Sequence, residues 1–484
     1  MLLGAGTHYW CLSERMLIFG DSSIYLELAH NLAQGKGFRI WHEGHFIFYP
    51  FYPPLYPWLL SLTGQSIFNA RIIGLFSLLI ASYFLCRTLR LLNITKFWTH
   101  FAVLLFLFSW LYPLHQIIIT EPLFLALFTL QLWSLTKWFK TNKIPYLALA
   151  GVFAGLMLLT RYAAMGIVGP IALWLLLTGR KRIQNFFAYL LPTLILFGPW
   201  QWAVMQSGSG LFGRQMAFHP PGKEHYKELT VTLANWLSPG LTPWFAGPVL
   251  LLLVFLVWKN RKNIHINRLS GLLLFILGGY FLFVVAAVTW ADFTTPMDNR
   301  IFSPLFIILL IFLAFLLKHQ KPKIATRLLA ALLILSYTVH FIWYSRAYAR
   351  GDIDVIRIHD AKIIRQLQHS PQKIYSNAID IIKLDVPHYD RLFDLPDHYH
   401  RMTLRNNPGF DRQMENIRAE VSRGDALVVY FYGFDFRKFQ ARKNEILRIF
   451  LGLPIREFDD GLLIGQPVDT LISSEVPTMD VLHE

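Results

Sequence analysis

From residue 70 onward the chain alternates between long apolar runs and short charged groups. Apolar runs of spanning or near-spanning length lie at 70–92, 97–119, 121–138, 145–160, 162–178, 184–205, 244–258, 269–291, 301–317 and 324–344. Several are shorter than the roughly 20 residues of an upright transmembrane helix. Together they predict a polytopic α-helical membrane protein with about ten spans. Ahead of them lies a polar stretch of different character. Asp21 heads a short amphipathic helix with Ile24, Leu28 and Leu32 on one face, followed by a Gly35-Lys36-Gly37 turn. A stiff segment, Tyr52 to Pro57, then carries Pro53 and Pro54 together.

After about Ser345 the pattern changes again. Charges become dense and the apolar runs shorten. Residues 353–368, 414–421 and 439–450 have helical spacing, whereas 373–377, 426–432 and 462–465 read as buried strands. Roughly 110 residues of alternating helix and strand suffice for a small extramembrane α/β domain. It carries no Gly-rich phosphate loop and no nucleophile elbow. The expected division is 1–69 as a first outer loop with juxtamembrane helices, 70–344 as the membrane domain, 345–466 as an outer-face α/β domain, and 467–484 as a loose tail.

Composition supports the membrane reading. Of the 484 residues 54% are hydrophobic and 15% charged, against roughly 25% charged in soluble domains. The net charge is +15, but Lys and Arg are dealt out in small groups between apolar runs. That pattern fits membrane orientation and gives no clustered basic face for nucleic acid. Alternate loops hold 17 and 5 basic residues. The rich set belongs in the cytoplasm, so residues 1–69, the 206–243 and 292–300 loops and the C-terminal region fall on the outer side. Nothing in residues 1–20 reads as a signal that would carry the first loop across, and an upstream span is therefore expected. Cys11 and Cys86 fall near opposite faces, which disfavours a disulfide. No Cys/His cluster suggests a metal; a divalent ion has no ligand set to support it.

Six residues stand out as candidates for chemistry. Asp21 reads either as a helix N-cap or as a carboxylate kept ionised at a helix N-terminus, ready to act as a base. Glu121, between Ile117-Ile118-Ile119-Thr120 and Pro122, is an acid at a membrane boundary, where burial is costly and function is the default reading. Its alternative is a first-turn acid capped by Thr120. Arg161, in a very short outer turn, and Arg300, entering a late span, can each grip a phosphate with a planar fork; the alternatives are a snorkelling anchor for Arg161 and an internal Asp298–Arg300 pair. His219 and Lys223 lie in a long outer loop, with Arg214, that reads as a lid or as a plain connection. Tyr25, Trp41, Tyr49, Tyr52, Tyr56 and Trp58 are expected mostly to form an interfacial aromatic belt.

The order of these motifs resembles the GT-C glycosyltransferases. It comprises Asp21 in a first outer loop, Ala29 to Phe38, Pro53-Pro54-Leu55-Tyr56-Pro57, Thr120-Glu121-Pro122-Leu123, Leu159-Thr160-Arg161, and Arg300 entering a late span. The resemblance covers residues 15–345 and is strongest to the bacterial protein-mannosyltransferase and aminoarabinose-transferase branch. It implies transfer of a sugar from a polyprenyl-phosphate carrier to an acceptor on the outer, periplasmic face of the inner membrane. It also implies Asp21 as catalytic acid/base and Arg161 and Arg300 on the carrier phosphate, with Glu121 matching the acid at the outer end of the early span pair. The span that should precede Asp21 is missing from this pattern. Ser22 stands where the family often has a second acid, so a metal held by adjacent acids is not supported. The sugar, the stereochemistry and the acceptor (protein, glycolipid or polysaccharide) stay open. A secondary transporter would place ionisable residues at mid-bilayer within an inverted repeat, and a scaffold would bind a partner through the C-terminal domain; both remain as alternatives.

Overall fold

The computed structural model describes residues 20–42, 45–64, 66–109, 111, 113–179, 181–210, 212–214, 216–237, 268–318, 324–350, 362–367, 370–383, 389–400, 405–432 and 439–466. The expected span at 244–258, Cys11 and the tail lie outside these residues. The chain divides into two compact units.

The first unit is helical. Among the described residues it holds α1 (Gly20–Ala33), α2 (Leu55–Leu62), α3 (Ile67–Leu91), α4 (Lys96–Leu107), α5 (Glu121–Thr141) and α6 (Ile144–Leu158). It continues with α7 (Met165–Leu177), α8 (Arg182–Gln206), α9 (Lys223–Leu237), α10 (Arg268–Trp290), α11 (Ser303–Leu316) and α12 (Ile324–Arg350). A hairpin of β1 (Arg39–His42) and β2 (His45–Phe48) follows α1. Among the described residues three stretches, Phe68–Leu91, Arg182–Gln206 and Arg268–Trp290, are long and apolar enough to cross a membrane by length and composition. Large apolar side chains such as Ile195, 71% exposed, and Leu328, Leu332 and Leu335 point outward. In water such faces would be unstable; in lipid they cost nothing.

The expected run at 97–119 does not form one helix. α4 stops at Leu107, and Pro113–Gln116 forms a 3-10 turn instead. Pro113 lacks the N–H that a continuing α-helix would need. The expected break near Arg161 is present: α6 ends at Leu158, and Arg161 is extended (φ −152°) before the turn at Tyr162–Ala164. Asn142 closes α5 in the left-handed conformation (φ 52°), donating its N–H to the Trp138 carbonyl at 2.7 Å. Asn tolerates that backbone better than most residues with a Cβ.

α6 and α8 pack closely through small residues. A Cβ on Gly151 would collide with the Tyr189 carbonyl, and one on Gly155 would lie 2.8 Å from Leu196 Cβ. The Thr193 hydroxyl donates to the Gly151 carbonyl at 2.9 Å, and Gln131 on α5 donates to the Tyr189 hydroxyl at 3.0 Å. This Gly-X-X-X-Gly contact brings backbones together where lipid offers little hydrophobic drive for association.

The second unit contains a five-stranded sheet. Its strands are β3 (Lys373–Ser376), β4 (Leu392–Asp394), β5 (Ala426–Phe431), β6 (Ile455–Phe458) and β7 (Gly461–Ile464), in the order β4-β3-β5-β7-β6. β4, β3 and β5 are parallel, and β7 and β6 complete the sheet antiparallel. Leu427, Val429 and Phe431 point to one core with Ile363, Leu367 and Ile379. Ala426, Val428 and Tyr430 point to the other with Met414, Ile417 and Ile446. Burial on both faces explains why β5 reads as an unbroken apolar run. Helices Phe410–Ser422 and Lys443–Ile449 correspond to two expected ones with shifted ends, and Lys362–Leu367 falls within the third, whose residues 353–361 and 368 lie outside the described residues. β4, only three residues long, and the charged edge strand β6 were not evident from periodicity.

The α6–α8 contact makes a direct prediction. Gly151→Leu forces the helices apart and lowers stability by about 1–3 kcal/mol, the range for overpacking. Gly198→Ala, at a helical position with open space around its Cβ, leaves stability unchanged or raises it by up to about 1 kcal/mol. Thermal melting of the purified protein in detergent distinguishes the two.

Candidate active site

The first turn of α1 is held in place by its own motif. Ile24 and Leu28 form a small core with Ile40, against which Phe38, Ile47, Tyr49 and Tyr52 pack. Gly35 (φ 73°) and Gly37 (φ 79°) both take left-handed backbone, as the reversal after α1 requires. The Lys36 N–H donates to the Asn31 carbonyl at 2.9 Å, and the Asn31 amide donates to the Arg39 carbonyl at 2.7 Å. The motif from Ala29 to Phe38 is thus a turn that folds the hairpin back beside α1.

The segment after the hairpin is tied to the turn around Arg161 at two points. Tyr162 donates its hydroxyl to the Pro50 carbonyl at 2.8 Å, and the Leu55 N–H donates to the Leu159 carbonyl at 2.9 Å. These ties flank Tyr52 on one side and Arg161 on the other.

Four charged side chains from distant parts of the chain meet here. Arg300 Nη2 donates to Asp21 Oδ2 at 2.6 Å, and its Nε lies 2.5 Å from Glu121 Oε1. That second approach is a charge contact without hydrogen-bond alignment, since neither atom has a hydrogen-bond partner. Arg161 Nη1 pairs with the same Glu121 oxygen and also donates to the Thr120 hydroxyl at 3.1 Å. Tyr52 donates to Asp21 Oδ1 at 2.6 Å. The two acids and two arginines sum to zero charge.

Exposure differs sharply within the cluster. The Glu121 side chain is 1% exposed, whereas Asp21 is 23% and Arg300 24% exposed. Glu121 is the enclosed hub, and Asp21 and Arg300 face the accessible side. Burial alone would raise the Asp21 pKa. The Arg300 charge, the hydrogen bonds from Tyr52 and Arg300, and the more distant Arg161 charge outweigh it and hold the carboxyl below its usual 3.8.

Arg300 is aimed by its own loop. Asp298 Oδ1 accepts the backbone N–H groups of Arg300 at 2.9 Å and Ile301 at 3.1 Å. Ser303 donates to the Arg300 carbonyl at 2.8 Å, and Tyr280 on α10 donates to the Ile301 carbonyl at 2.7 Å. The Asp298 carboxylate therefore shapes the turn, and the guanidinium goes to Asp21 and Glu121. Burial raises the Asp298 pKa, an effect that the Arg300 charge only partly offsets.

The structure sorts the sequence candidates. Asp21, Glu121, Arg161 and Arg300 come together. Glu121 was expected to contact substrate, yet its carboxylate is enclosed against the two arginines. Thr120 makes no side-chain cap on α5 and serves Arg161 instead. Among the described residues, no hydrogen bond or ion pair joins His219 or Lys223 to these four. The His219 ring packs edge-on against Phe293 at 5.5 Å, and Lys223 starts the exposed end of α9. The loop that carries them is pinned down. Phe212 packs on Tyr162, Arg214 pairs with Asp292, and the Ala217 and His219 N–H groups donate to the Trp290 and Thr289 carbonyls at 2.9 and 2.8 Å. Among the described residues no three His, Cys, Asp or Glu side chains gather as metal ligands.

Sequence reasoning underrated the tyrosines. Tyr25 and Tyr56 are buried, and Tyr25 packs on both Tyr52 (4.8 Å) and Tyr56 (5.3 Å). They line the cluster and are not an interfacial belt; Trp58, 50% exposed, still fits a belt. Tyr280 was also missed. Its signal was a phenol hydroxyl in the middle of a largely apolar helix, which must find a partner when buried.

A family model described as dolichyl-phosphate-mannose-protein mannosyltransferase matches residues 52–202, a stretch that includes Tyr52, Glu121 and Arg161. No curated protein sequence matches the chain. Among solved structures, ArnT from Cupriavidus metallidurans is similar both in its apo state and bound to undecaprenyl phosphate. The apo form has a TM-score of 0.63 at 12% identity, covering 96% of this chain and 97% of that one. The complex has a TM-score of 0.61 at 11% identity, covering 96% of each. The archaeal oligosaccharyltransferase AglB from Archaeoglobus fulgidus, in complex with an inhibitory peptide and a dolichol-phosphate, has a TM-score of 0.51 at 11% identity, covering 89% of this chain and 68% of its own. The GT-C resemblance read from the motifs is borne out in the fold.

Removing the hub tests the cluster's role in stability. Glu121→Ala leaves two guanidinium groups side by side without their shared carboxylate and lowers stability by roughly 3 kcal/mol or more, as for a broken buried ion pair. Thermal melting in detergent checks this; an unchanged midpoint would contradict the assigned burial.

Proposed function

We propose that this GT-C-fold protein is a membrane glycosyltransferase that moves a sugar from a polyprenyl-phosphate carrier to an acceptor on the outer, periplasmic face of the inner membrane. The observation that carries the reading is Arg300, whose guanidinium touches the accessible carboxylate Asp21 and the enclosed carboxylate Glu121 at once. A base and an anion-binding group are thereby held within one contact of each other, with Arg161 on the same hub. ArnT bound to undecaprenyl phosphate and AglB bound to dolichol-phosphate share the fold and support a lipid-phosphate donor.

In the proposed step the donor phosphate lies against Arg300 and Arg161. The acceptor hydroxyl or amine attacks the anomeric carbon and gives its proton to Asp21. The sugar–phosphate C–O bond breaks, and its electron pair leaves on the carrier phosphate. The arginines stabilise the charge that develops there, a contribution often worth several kcal/mol in a partly dry cavity. Glu121 keeps both arginines in place and touches no substrate. One base acting opposite a good leaving group favours inversion at the anomeric carbon.

The cluster groups all lie at helix ends or in turns: Asp21 and Glu121 in first turns, Arg161 between α6 and α7, Arg300 just before α11. That placement fits a reaction at the membrane face better than an ion path through mid-bilayer. The basic loops between the other helix ends support a cytoplasmic side opposite the cluster. On this reading the α/β unit also belongs to the outer side and would help to select the acceptor.

Release of free polyprenyl phosphate from a panel of polyprenyl-phosphate sugars, measured in membranes, tests the reading. Wild type releases the carrier with at least one donor, and Asp21→Asn lowers the rate by roughly 10²–10⁴-fold, the range for loss of a general base. Equal rates in the two proteins would remove Asp21 from the chemistry. The pH profile of kcat/KM gives a second test. Because Asp21 is held below its usual value, it stays ionised through neutral and mildly acidic pH. Its acid limb therefore falls below pH 3.8, and a limb near 6 would assign the base to another group.

A further inference from the structure

We infer that Tyr52 is the positioning residue for Asp21, holding the carboxylate oxygen that Arg300 does not hold and so fixing the base while the arginine engages phosphate. The inference rests on the transferase reading for Asp21 and adds a role for a residue at the edge of the Pro53-Pro54 segment.

The geometry is two-sided. Arg300 takes Asp21 Oδ2 at 2.6 Å, and Tyr52 takes Oδ1 at 2.6 Å. Arg300 is also drawn toward Glu121. A carboxylate held by the guanidinium alone would have to share its one donor group with an arriving phosphate. A second bond from the opposite oxygen, donated by a fixed hydroxyl, prevents that. Charge-assisted hydrogen bonds of this kind are short and strong.

Tyr52 is suited to be the fixed partner. Its ring is packed by Tyr25 at 4.8 Å and Tyr49 at 5.7 Å. Pro53 and Pro54 follow it and restrict its backbone. The two ties from Tyr162 to Pro50 and from Leu55 to Leu159 join its segment to the turn that carries Arg161. Tyr52 and Arg161 therefore belong to one braced frame, and Asp21 is tethered to the frame that also carries a phosphate-binding group. Tyr25, Tyr52, Arg161 and Arg300 are the titratable or charged groups acting on Asp21, with Glu121 behind Arg300. Of these, Tyr52 is the neutral hydrogen-bond donor.

Tyr52→Phe tests the inference, because it keeps the ring between Tyr25 and Tyr49 and deletes the hydroxyl. In the carrier-release assay kcat falls roughly ten- to hundredfold, the effect of losing a hydrogen bond to a charged group. KM for the donor stays within about twofold, since uniform binding is untouched. The acid limb of the pH profile moves to higher pH, because the charged carboxylate has lost a donor. Tyr52→Phe with wild-type kcat and an unmoved limb overturns the inference.

Melting temperature against pH gives a readout without substrate and separates this inference from the transferase reading. A carboxylate held below its usual pKa stabilises the fold at higher pH, and that stability is lost as pH falls through the folded pKa. With the tether gone the depression is smaller, so Tyr52→Phe loses less stability on acidification and its fall ends at a higher pH. Identical acid profiles for the two proteins overturn the tether even if no donor proves active. A wild type without carrier release alongside shifted profiles would sink the transferase reading and leave the tether standing.

Discussion

A carboxylate that is 1% exposed among apolar helices must be neutralised, and Glu121 meets that demand with two arginines. An isolated charge in such surroundings is too costly to persist. The pairing dictates where several segments must go. Arg161 has to reach α5 from the turn between α6 and α7, and Arg300 has to reach it from the loop before α11. Once Arg300 is there, its terminal Nη2 is available to Asp21, 279 residues away in sequence. The hub thus assembles the accessible part of the site indirectly.

Close backbone contacts hold several of the segments around this hub. Gly151 and Gly155 let α6 meet α8, which holds the end of α6 and hence the Arg161 turn. The Gly35 and Gly37 reversal and the Asn31 amide bring the hairpin back beside α1 and deliver Tyr52. Asp298, Ser303 and Tyr280 shape the approach to Arg300. The Arg300 and Arg161 turns are thus shaped by polar bonds to backbone, with the side chains left to face their partners.

Much of this was legible in the sequence. Apolar runs marked most helices of the first unit, and a run buried on both faces marked β5. The four charged candidates stood out because an ionisable residue at a membrane boundary needs a reason to be there. What sequence could not supply was pairing. Nothing in the spacing tells that Arg300 turns away from Asp298 toward Asp21, or that Glu121 lies enclosed behind it. Tyr25, Tyr52 and Tyr56 were misjudged because a tyrosine near a membrane face has the same local pattern whether it faces lipid headgroups or a buried carboxylate. His219 and Lys223 were grouped with the site through the length of their loop, which is tethered to Trp290, Thr289 and Asp292; a loop's length says nothing of which groups its side chains meet. Pro113 interrupted a run that hydropathy alone reads as continuous.

The charge neutrality of the cluster bears on how the protein would complete a cycle. On the proposed chemistry every sugar transferred leaves one proton on Asp21. The surroundings of that carboxyl, with Arg300 on one oxygen and Tyr52 on the other, favour its ionised form. The acquired proton is therefore held weakly and passes readily to water through the exposed side of Asp21. On that reading the base would restore itself between turnovers by giving its proton directly to the water that reaches it.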